Sequence, residues 1–452
     1  MSAPTNNKST IRFSRFLTDY GMLAVLLLLC ALFSILTLRE QHPVGAQAAD
    51  VLFDQISRET VKPAGAIIVS RGNDEDNLFA STLRAKLNAQ GFSSVRIFSG
   101  DPSTIRAEFA ARADSSLLPQ MIVSTHTFEP IVQAILAQFP QFANEQVVTP
   151  PSHRWPTFLL ADNLRNVADQ ISVIAIIAIG MTVVIITAGI DLSVGSLIAL
   201  SAVVTAWFVG RMGGENATAL LVITAAIGGI IVSGATGAFS GLMITRFRIP
   251  PFIATLAMMQ VAAGLAYIIS QGKPIYQLPE GFVWLGRGAE PLLKIPYAVI
   301  LMVILYIIAH FIMTRTTLGR YVYAVGGNEE AARLSGIRVR TVLFSAYTLS
   351  GLLAGLGGVV MASQLKSGAP TYGLTYELYV IAAVVVGGTS LMGGEGRIFG
   401  TLIGAFIIAV IQNGMNLTNV ETYTQKVVLG LVILAAVLLD RLKQRGFRLK
   451  KA

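Results

Sequence analysis

Long apolar runs recur along this chain, as at 20–38 and 295–314, and each is long enough to cross a bilayer as a helix. In hydrocarbon every backbone N–H and C=O must be satisfied within the segment, so such runs fold as helices. The composition agrees: only 13% of the 452 residues are charged, against about a quarter in soluble domains. Ten spans are expected, at about 20–38, 168–188, 193–210, 218–243, 252–270, 295–314, 341–362, 377–392, 398–415 and 425–440. The net charge of +9 does not point to nucleic acid, because much of the basic excess sits in short segments at the ends of apolar runs.

Those short segments set an orientation. The N-terminal tail, Arg246 and Arg248, the segment Arg315–Arg340 and the tail Arg441–Lys451 fall on one side, which is therefore cytoplasmic. Both termini are then expected in the cytoplasm. A basic N-terminus before 20–38 resembles a signal peptide, with "AQA" (Ala46–Ala48) as a cleavage site. The run is long for a signal and ends well before that site, so a retained transmembrane helix is expected. The single cysteine, Cys30, excludes a disulfide framework and reads as a packing residue within the first span.

Between the first two spans lies a soluble-looking insert, 40–165, expected outside the cytoplasm. Short apolar strands at 65–70, 94–100, 120–126 and 145–149 alternate with helical patterns at 74–90, 103–117 and 128–139. That order predicts a small α/β insert with a parallel, Rossmann-like sheet. "TPPSHRWP" (149–156) reads as a stiff, turn-rich return to the membrane. "RGND" follows the first strand, where Arg71, Asn73 and Asp74 either contact a ligand or form a polar loop capping the next helix.

The expected organisation is thus a tail and first helix (1–39), the insert (40–165), a nine-span membrane core (166–440) with a cytoplasmic segment at 315–340, and a basic tail (441–452). No enzyme motif stands out. There is no GxxxxGK[ST] phosphate loop, and "QGKP" (271–274) lacks its flanking residues. Neither HExxH nor GxSxG occurs, and the four histidines, His42, His126, His153 and His310, lack close metal-ligand spacing. No metal site and no cofactor within this chain are expected.

Three features point to transport. Polar turns interrupt the apolar pattern at "GIDLSVGS" and "GGTSLMGGEGR", and non-helical backbone near a membrane marks function. Charge topology puts Asp191 at the cytoplasmic junction of spans two and three, as an N-cap of the third span. Small-residue pairs Gly237/Gly241, Gly351/Gly355 and Gly400/Gly404 predict close helix crossings. In the cytoplasmic segment, Asn328 caps a short helix with Glu329 and Glu330 in its first turn, ended by Ser335–Gly336.

Four stretches carry a family resemblance: "GMTVVIITAGIDLSVGSLIALSAVV" (180–204), "LGRYVYAVGGNEEAARLSGIRV" (318–339), "AAVVVGGTSLMGGEGRIFGTLIGA" (382–405) and "NGMNL" (413–417). In this order they resemble the permease subunits of ribose-type ABC importers, over about 160–440 plus the first span. The resemblance implies a multi-pass subunit of the bacterial inner membrane that imports a simple sugar. It pairs with a second copy or paralogue, meets a cytoplasmic ATPase that holds ATP and Mg²⁺, and receives sugar from an extracytoplasmic binding protein. By motif, Asn328, Glu329, Glu330, Arg333, Leu334 and Gly336 form the coupling helix. Gly189, Asp191, Ser193, Gly195 and Ser196, with Gly393, Gly394 and Gly396, shape the membrane turns. Asn413 and Asn416 are candidate polar residues of the path, with purely structural roles as the alternative. The large insert departs from the family pattern. A nucleoside or branched-chain amino acid permease, and an insert-based sensor, are the competing readings.

Overall fold

The computed structural model describes residues 8–58, 65–92, 94–111, 121–142 and 145–449, with side chains described from Gly21 to Leu438. The chain divides into two compact units, Leu38–Thr157 and the remainder. The far part of the expected helix 103–117 and the last residues of the basic tail lie outside the described residues. The first described element is α1 (Lys8–Leu36), in the helical unit.

The smaller unit contains, in order, β1 (Leu38–Gln41), α2 (Gly45–Arg58), β2 (Gly65–Ser70), α3 (Asp74–Ala89), β3 (Ser94–Ser99), α4 (Pro102–Ala110), β4 (Met121–Ser124), α5 (Glu129–Leu136), β5 (Val147–Val148) and β6 (His153–Pro156). Four strands form a parallel sheet in the order β3-β2-β4-β5. β2 reads "GAIIVS", apolar on both faces, as a parallel strand covered on both sides must be. Ala66 and Ile68 pack with Leu52 of α2 and Leu83 of α3, whereas Ile67 and Val69 pack with Phe109 of α4 and Val132 of α5. Asn73 and Asp101 cap α3 and α4 through their side chains.

Two features of this unit differ from the expectation. α2 was not anticipated, although Ala48, Ala49, Leu52 and Ile56 form its buried stripe at helical spacing. Residues 153–156 are not a turn-rich return but strand β6, paired antiparallel with β1 from Leu38↔Pro156 to Gln41↔His153. That pairing joins segments more than a hundred residues apart, so no local pattern announces it.

The helical unit continues with α6 (Ala161–Ile186), α7 (Val194–Met212), α8 (Ala219–Phe247), α9 (Pro251–Ser270), α10 (Trp284–Arg287), α11 (Tyr297–Arg315), α12 (Thr317–Gly327), α13 (Glu329–Leu334), α14 (Val339–Leu365), α15 (Tyr376–Val386), α16 (Ile398–Leu417) and α17 (Thr422–Leu449). Among the described residues seven helices are long and apolar enough to cross a membrane, namely α6, α7, α8, α9, α11, α14 and α16. Gly21–Leu36, Tyr376–Val386 and Thr422–Leu438 are shorter apolar helices. α6 is buried continuously from Ile171 to Ile186. α8, α9 and α11 expose Ile231, Ile268 and Ile307, a surface that suits lipid.

Close approach of backbones holds the unit together. α14 crosses α8 so tightly that a Cβ on Gly351 would lie 2.5 Å from the Ser233 carbonyl oxygen, and one on Gly237 2.5 Å from the Tyr347 carbonyl oxygen. Gly400 and Gly404 likewise face carbonyl oxygens of Gly387 and Ala383, on and just past α15. All three small-residue pairs therefore lie at helix crossings. At the outer face of α16, Gly414 leaves the space that the Phe33 ring of α1 fills. The crossing predicts a contrast within one helix. Gly237→Ala should destabilise the detergent-solubilised protein by about 1–3 kcal/mol. Gly228→Ala, where a Cβ meets nothing within 4 Å, should be neutral or slightly stabilising. Thermal unfolding of the two variants checks it, and equal midpoints would contradict the crossing.

Candidate translocation site and coupling surface

The turn that breaks the apolar pattern is built around a carboxylate. Asp191 is fully buried. Its Oδ1 accepts hydrogen bonds from the Ser193 N–H (3.0 Å) and the Ser193 hydroxyl (2.6 Å), and its Oδ2 accepts one from the Ser350 hydroxyl of α14 (2.8 Å). Asp191 is not the N-cap of α7. Ser193 occupies that position and makes no side-chain capping bond. Its partner Ser350 is eleven residues into α14. At 1.5 Å per residue the contact is roughly 16 Å from that helix's first residue. The chain therefore leaves α6 at Ile186, turns back into the protein and starts α7 at depth. A buried carboxylate is costly without partners, and three donors here supply them.

Gly189 and Gly195 permit this turn. A side chain at Gly189 would overlap the Tyr347 hydroxyl, and one at Gly195 would overlap Glu377 and lie 2.5 Å from the Gly373 carbonyl oxygen. The first turn of α7, with half-buried Ser196, thus meets the start of α15. α15 is short, eleven residues, and irregular backbone flanks it on both sides. The expected eighth span, 377–392, ends early at Val386 because Gly388 turns the chain in a left-handed conformation (φ +88°).

Three motifs distant in sequence converge at the opposite end of these turns. The Gly394 N–H donates to the Ile186 carbonyl oxygen (2.8 Å), and the Tyr323 hydroxyl of α12 donates to the Gly396 carbonyl oxygen (2.8 Å). A Cβ on Gly326 would overlap the Ile186 carbonyl oxygen, and one on Gly393 would lie 2.8 Å from Ala188. The end of α12 is thus in backbone contact with both polar turns.

α13 follows directly. The Asn328 side chain accepts from the Ala331 N–H (3.0 Å), Glu329 and Glu330 occupy the first turn, and Gly336 closes the helix at φ +84°. Ala332 packs with Val325 and Val339, which seats the helix on α12 and α14. Its other face is open: Glu330 pairs with Arg333 on the surface, and Leu334 is 80% exposed. α12 itself was missed in the sequence, where "TTLGRYVYAVGG" reads as part of a connection.

A cavity of about 370 Å³ lies near the far end of α14. Gln170 of α6, Gln364 of α14, Gln412 of α16, and Tyr376 and Tyr379 of α15 line it, and the rest of the lining is aliphatic. No charged side chain is among the lining residues. The short α10 turn is pinned beside it. The Gly286 N–H donates to the Ser363 hydroxyl (2.8 Å), and the Arg287 Nε–H donates to the Gln364 carbonyl oxygen (2.6 Å). The sequence offered Asn413 and Asn416 instead. Asn413 exchanges two hydrogen bonds with Asn163 (2.9 and 3.0 Å), and Asn416 accepts from Gln425 (2.8 Å). Both are engaged with neighbouring segments, while adjacent Gln412 faces the cavity. Single amides inside apolar spans were the signal that could have found the glutamines.

In the smaller unit, Asn73 caps α3 by accepting from the Asp76 N–H (2.7 Å), and Asp74 is exposed in that helix's first turn. Arg71 donates to Asp76 (2.8 Å) and to the Thr127 hydroxyl (3.0 Å). Its hydrogen bond to Asp76 raises the Arg71 pKa further above its already high ordinary value. Ser350→Ala, which leaves the Asp191 carboxylate one donor short, should cost about 1–3 kcal/mol of stability. A thermal midpoint equal to that of the unaltered protein would exclude a stabilising role for the contact.

Comparison with known proteins bears on this geometry. Residues 163–437 match the family model described as branched-chain amino acid transport system / permease component. The ribose import permease protein of Escherichia coli (strain K12) is 46% identical over 293 residues, 64% of this chain and 88% of the relative. That of Bacillus subtilis (strain 168) is 46% identical over 290 residues, 64% and 87% of the two chains. The D-allose transport system permease protein of Escherichia coli (strain K12) is 41% identical over 285 residues, 63% and 85%. No solved structure matches. The family match begins after the smaller unit ends, so that unit lies outside it. With seven membrane-length apolar helices and a family match over more than half its length, this chain is a multi-pass membrane protein and belongs to that permease-component family.

Proposed function

We propose that the chain is the membrane subunit of an ATP-driven importer of a simple sugar, crossing the inner membrane ten times with both termini in the cytoplasm and the Leu38–Thr157 unit outside it. The three shorter apolar helices supply the crossings beyond the seven long ones. α15 counts as a broken span whose flanking loops lie within protein, as in transporters that carry their sites at interrupted helices.

The single observation that carries the sugar reading is the uncharged cavity lined by three amides and two tyrosines. A primary amide both donates and accepts, which matches the alternating donors and acceptors of vicinal hydroxyls. The Gln170 and Gln412 side-chain amides have no hydrogen-bond partner among the described residues, so they are available to a solute. An amino acid would bring an ammonium and a carboxylate into a lining without a charge to pair them, at high desolvation cost. The ribose, allose and arabinose permeases among the relatives support the same class. The cavity volume falls in the usual range for small-molecule sites.

The exposed face of α13 is the surface for the partner ATPase. α13 joins α12, which touches both polar turns, and α14, which runs to the cavity, so a shift at α13 reaches the path as a rigid-body movement. A second permease copy and an extracytoplasmic sugar-binding protein complete the assembly. Gln170→Leu combined with Gln412→Leu should raise the KM for labelled ribose uptake at least about tenfold, the loss of roughly 1.4 kcal/mol of binding, at unchanged protein level. Leucine in excess should leave uptake unaffected, and competition by leucine but not by sugars would overturn the sugar assignment. Glu329→Lys with Glu330→Lys should abolish uptake while the protein stays folded, because the exposed Glu330–Arg333 pair contributes little to stability. Normal uptake in that double variant would remove α13 as the coupling surface.

A further inference from the structure

The smaller unit carries a cluster of unmet hydrogen-bonding groups. Among the described residues, six buried side-chain N or O atoms have no hydrogen-bond partner, and three of them, Ser70 Oγ, Thr125 Oγ1 and His42 Nδ1, belong to this unit. Ser70 and Thr125 are 0% and 4% exposed. An unpartnered buried hydroxyl is destabilising, so a group of them calls for a physical reason.

The sheet register puts the two hydroxyls side by side. β2 and β4 pair from Ala66↔Met121 to Val69↔Ser124, so Ser70 and Thr125 are the next residues at the carboxyl edge. Both share the parity of Ala66, Ile68, Met121 and Val123, which pack towards α2 and α3. Ser70 and Thr125 therefore face the space bounded by the N-terminal ends of those helices. His42 leads into α2, and its ring stacks at 3.6 Å on His126, the residue after Thr125.

The place is also the switch point of the sheet. In the order β3-β2-β4-β5, the chain leaves β2 in one direction to β3 and then returns to the other side of β2 at β4. Ligands of open α/β sheets bind in the crevice outside the carboxyl ends of the two strands at such a point. Arg71 crosses this edge of the sheet, from the loop after β2 to Thr127 after β4, while its Nε–H is held by buried Asp76.

We propose that this crevice is a binding site for a neutral monosaccharide, with Ser70, Thr125 and His42 as hydrogen-bonding partners and Arg71 as the strap that opens and closes over it. Hydroxyl groups donate and accept, as the two side-chain hydroxyls do, and the free imidazole nitrogen suits either role. Arg71 is paired with Asp76, and the remaining carboxylates of the first turn of α3, Asp74 and Glu75, disfavour an anion. Releasing the Arg71–Thr127 bond, which is exposed, opens the crevice without breaking the Arg71–Asp76 pair. The choice of sugar as the ligand rests on the sugar reading of the membrane unit, whereas the position of the site does not.

Hydrogen exchange on the full-length protein, with and without D-ribose, D-allose or L-arabinose at millimolar concentration, tests the site directly. At least one sugar should slow exchange about tenfold or more in 66–77 and 121–128. Ser70→Ala with Thr125→Val should abolish that protection while leaving the thermal midpoint unchanged or raised, because it removes unpartnered hydroxyls. No protection by any of the three sugars overturns the proposal, as does protection that persists in the double variant. A lowered midpoint in the double variant also overturns it, since it would mean that the hydroxyls are structural. Uptake by the same protein is measured separately, so failure of the crevice and failure of the membrane pathway give different results.

Discussion

Hydrocarbon offers a free backbone group no partner, and the architecture of the helical unit follows from that constraint. A helix can stop inside such a unit only where protein supplies the missing hydrogen bonds. The turn after α6 meets the condition with one buried carboxylate. Asp191 gathers the N–H and hydroxyl of Ser193 and the hydroxyl of Ser350, which ties the start of α7 to the middle of α14. The glycines around it have a steric role, since Tyr347, Glu377 and Gly373 occupy the volume that side chains would need. Charge and glycine in an apolar segment, at first sight defects, are both requirements of one interrupted helix.

The same turns connect the two ends of the unit. Ile186 receives the Gly394 N–H and lies against Gly326, so the polar turns and the end of α12 form one backbone-to-backbone junction. Backbone contacts of this kind do not adjust by rotamer changes. In the coupling proposed for α13, this junction is the route by which a shift of α12 would reach both polar turns. α14 carries the other end of the link, from Val339 beside α13 to Gln364 at the cavity.

The smaller unit follows different physics. It is an α/β unit with a core on each face of a parallel sheet and capped helices at the carboxyl edge. It lies outside the segment shared with the permease relatives. In its polar loop after β2, Asn73 takes the capping role. Among the described residues of this unit, the buried groups without partners include Ser70 and Thr125, which look like ordinary ends of apolar strands in a linear reading.

How much could be read in advance follows from the range of the interactions concerned. Local periodicity and local capping chemistry determined the apolar helices, the βαβ alternation and the short α13 with Asn328 before it, because each depends on residues within a turn or two. The small-residue pairs announced close crossings, but not that Gly237 meets Gly351. Tertiary structure alone decided that Asp191 reaches Ser350, that Gln412 rather than Asn413 faces the cavity, that 153–156 pair with 38–41, and that two glycine-bearing turns converge on the end of α12. The reason is the same in each case. A side chain's partner across the fold is set by the packing of whole elements, and a linear pattern records the element but not its neighbour.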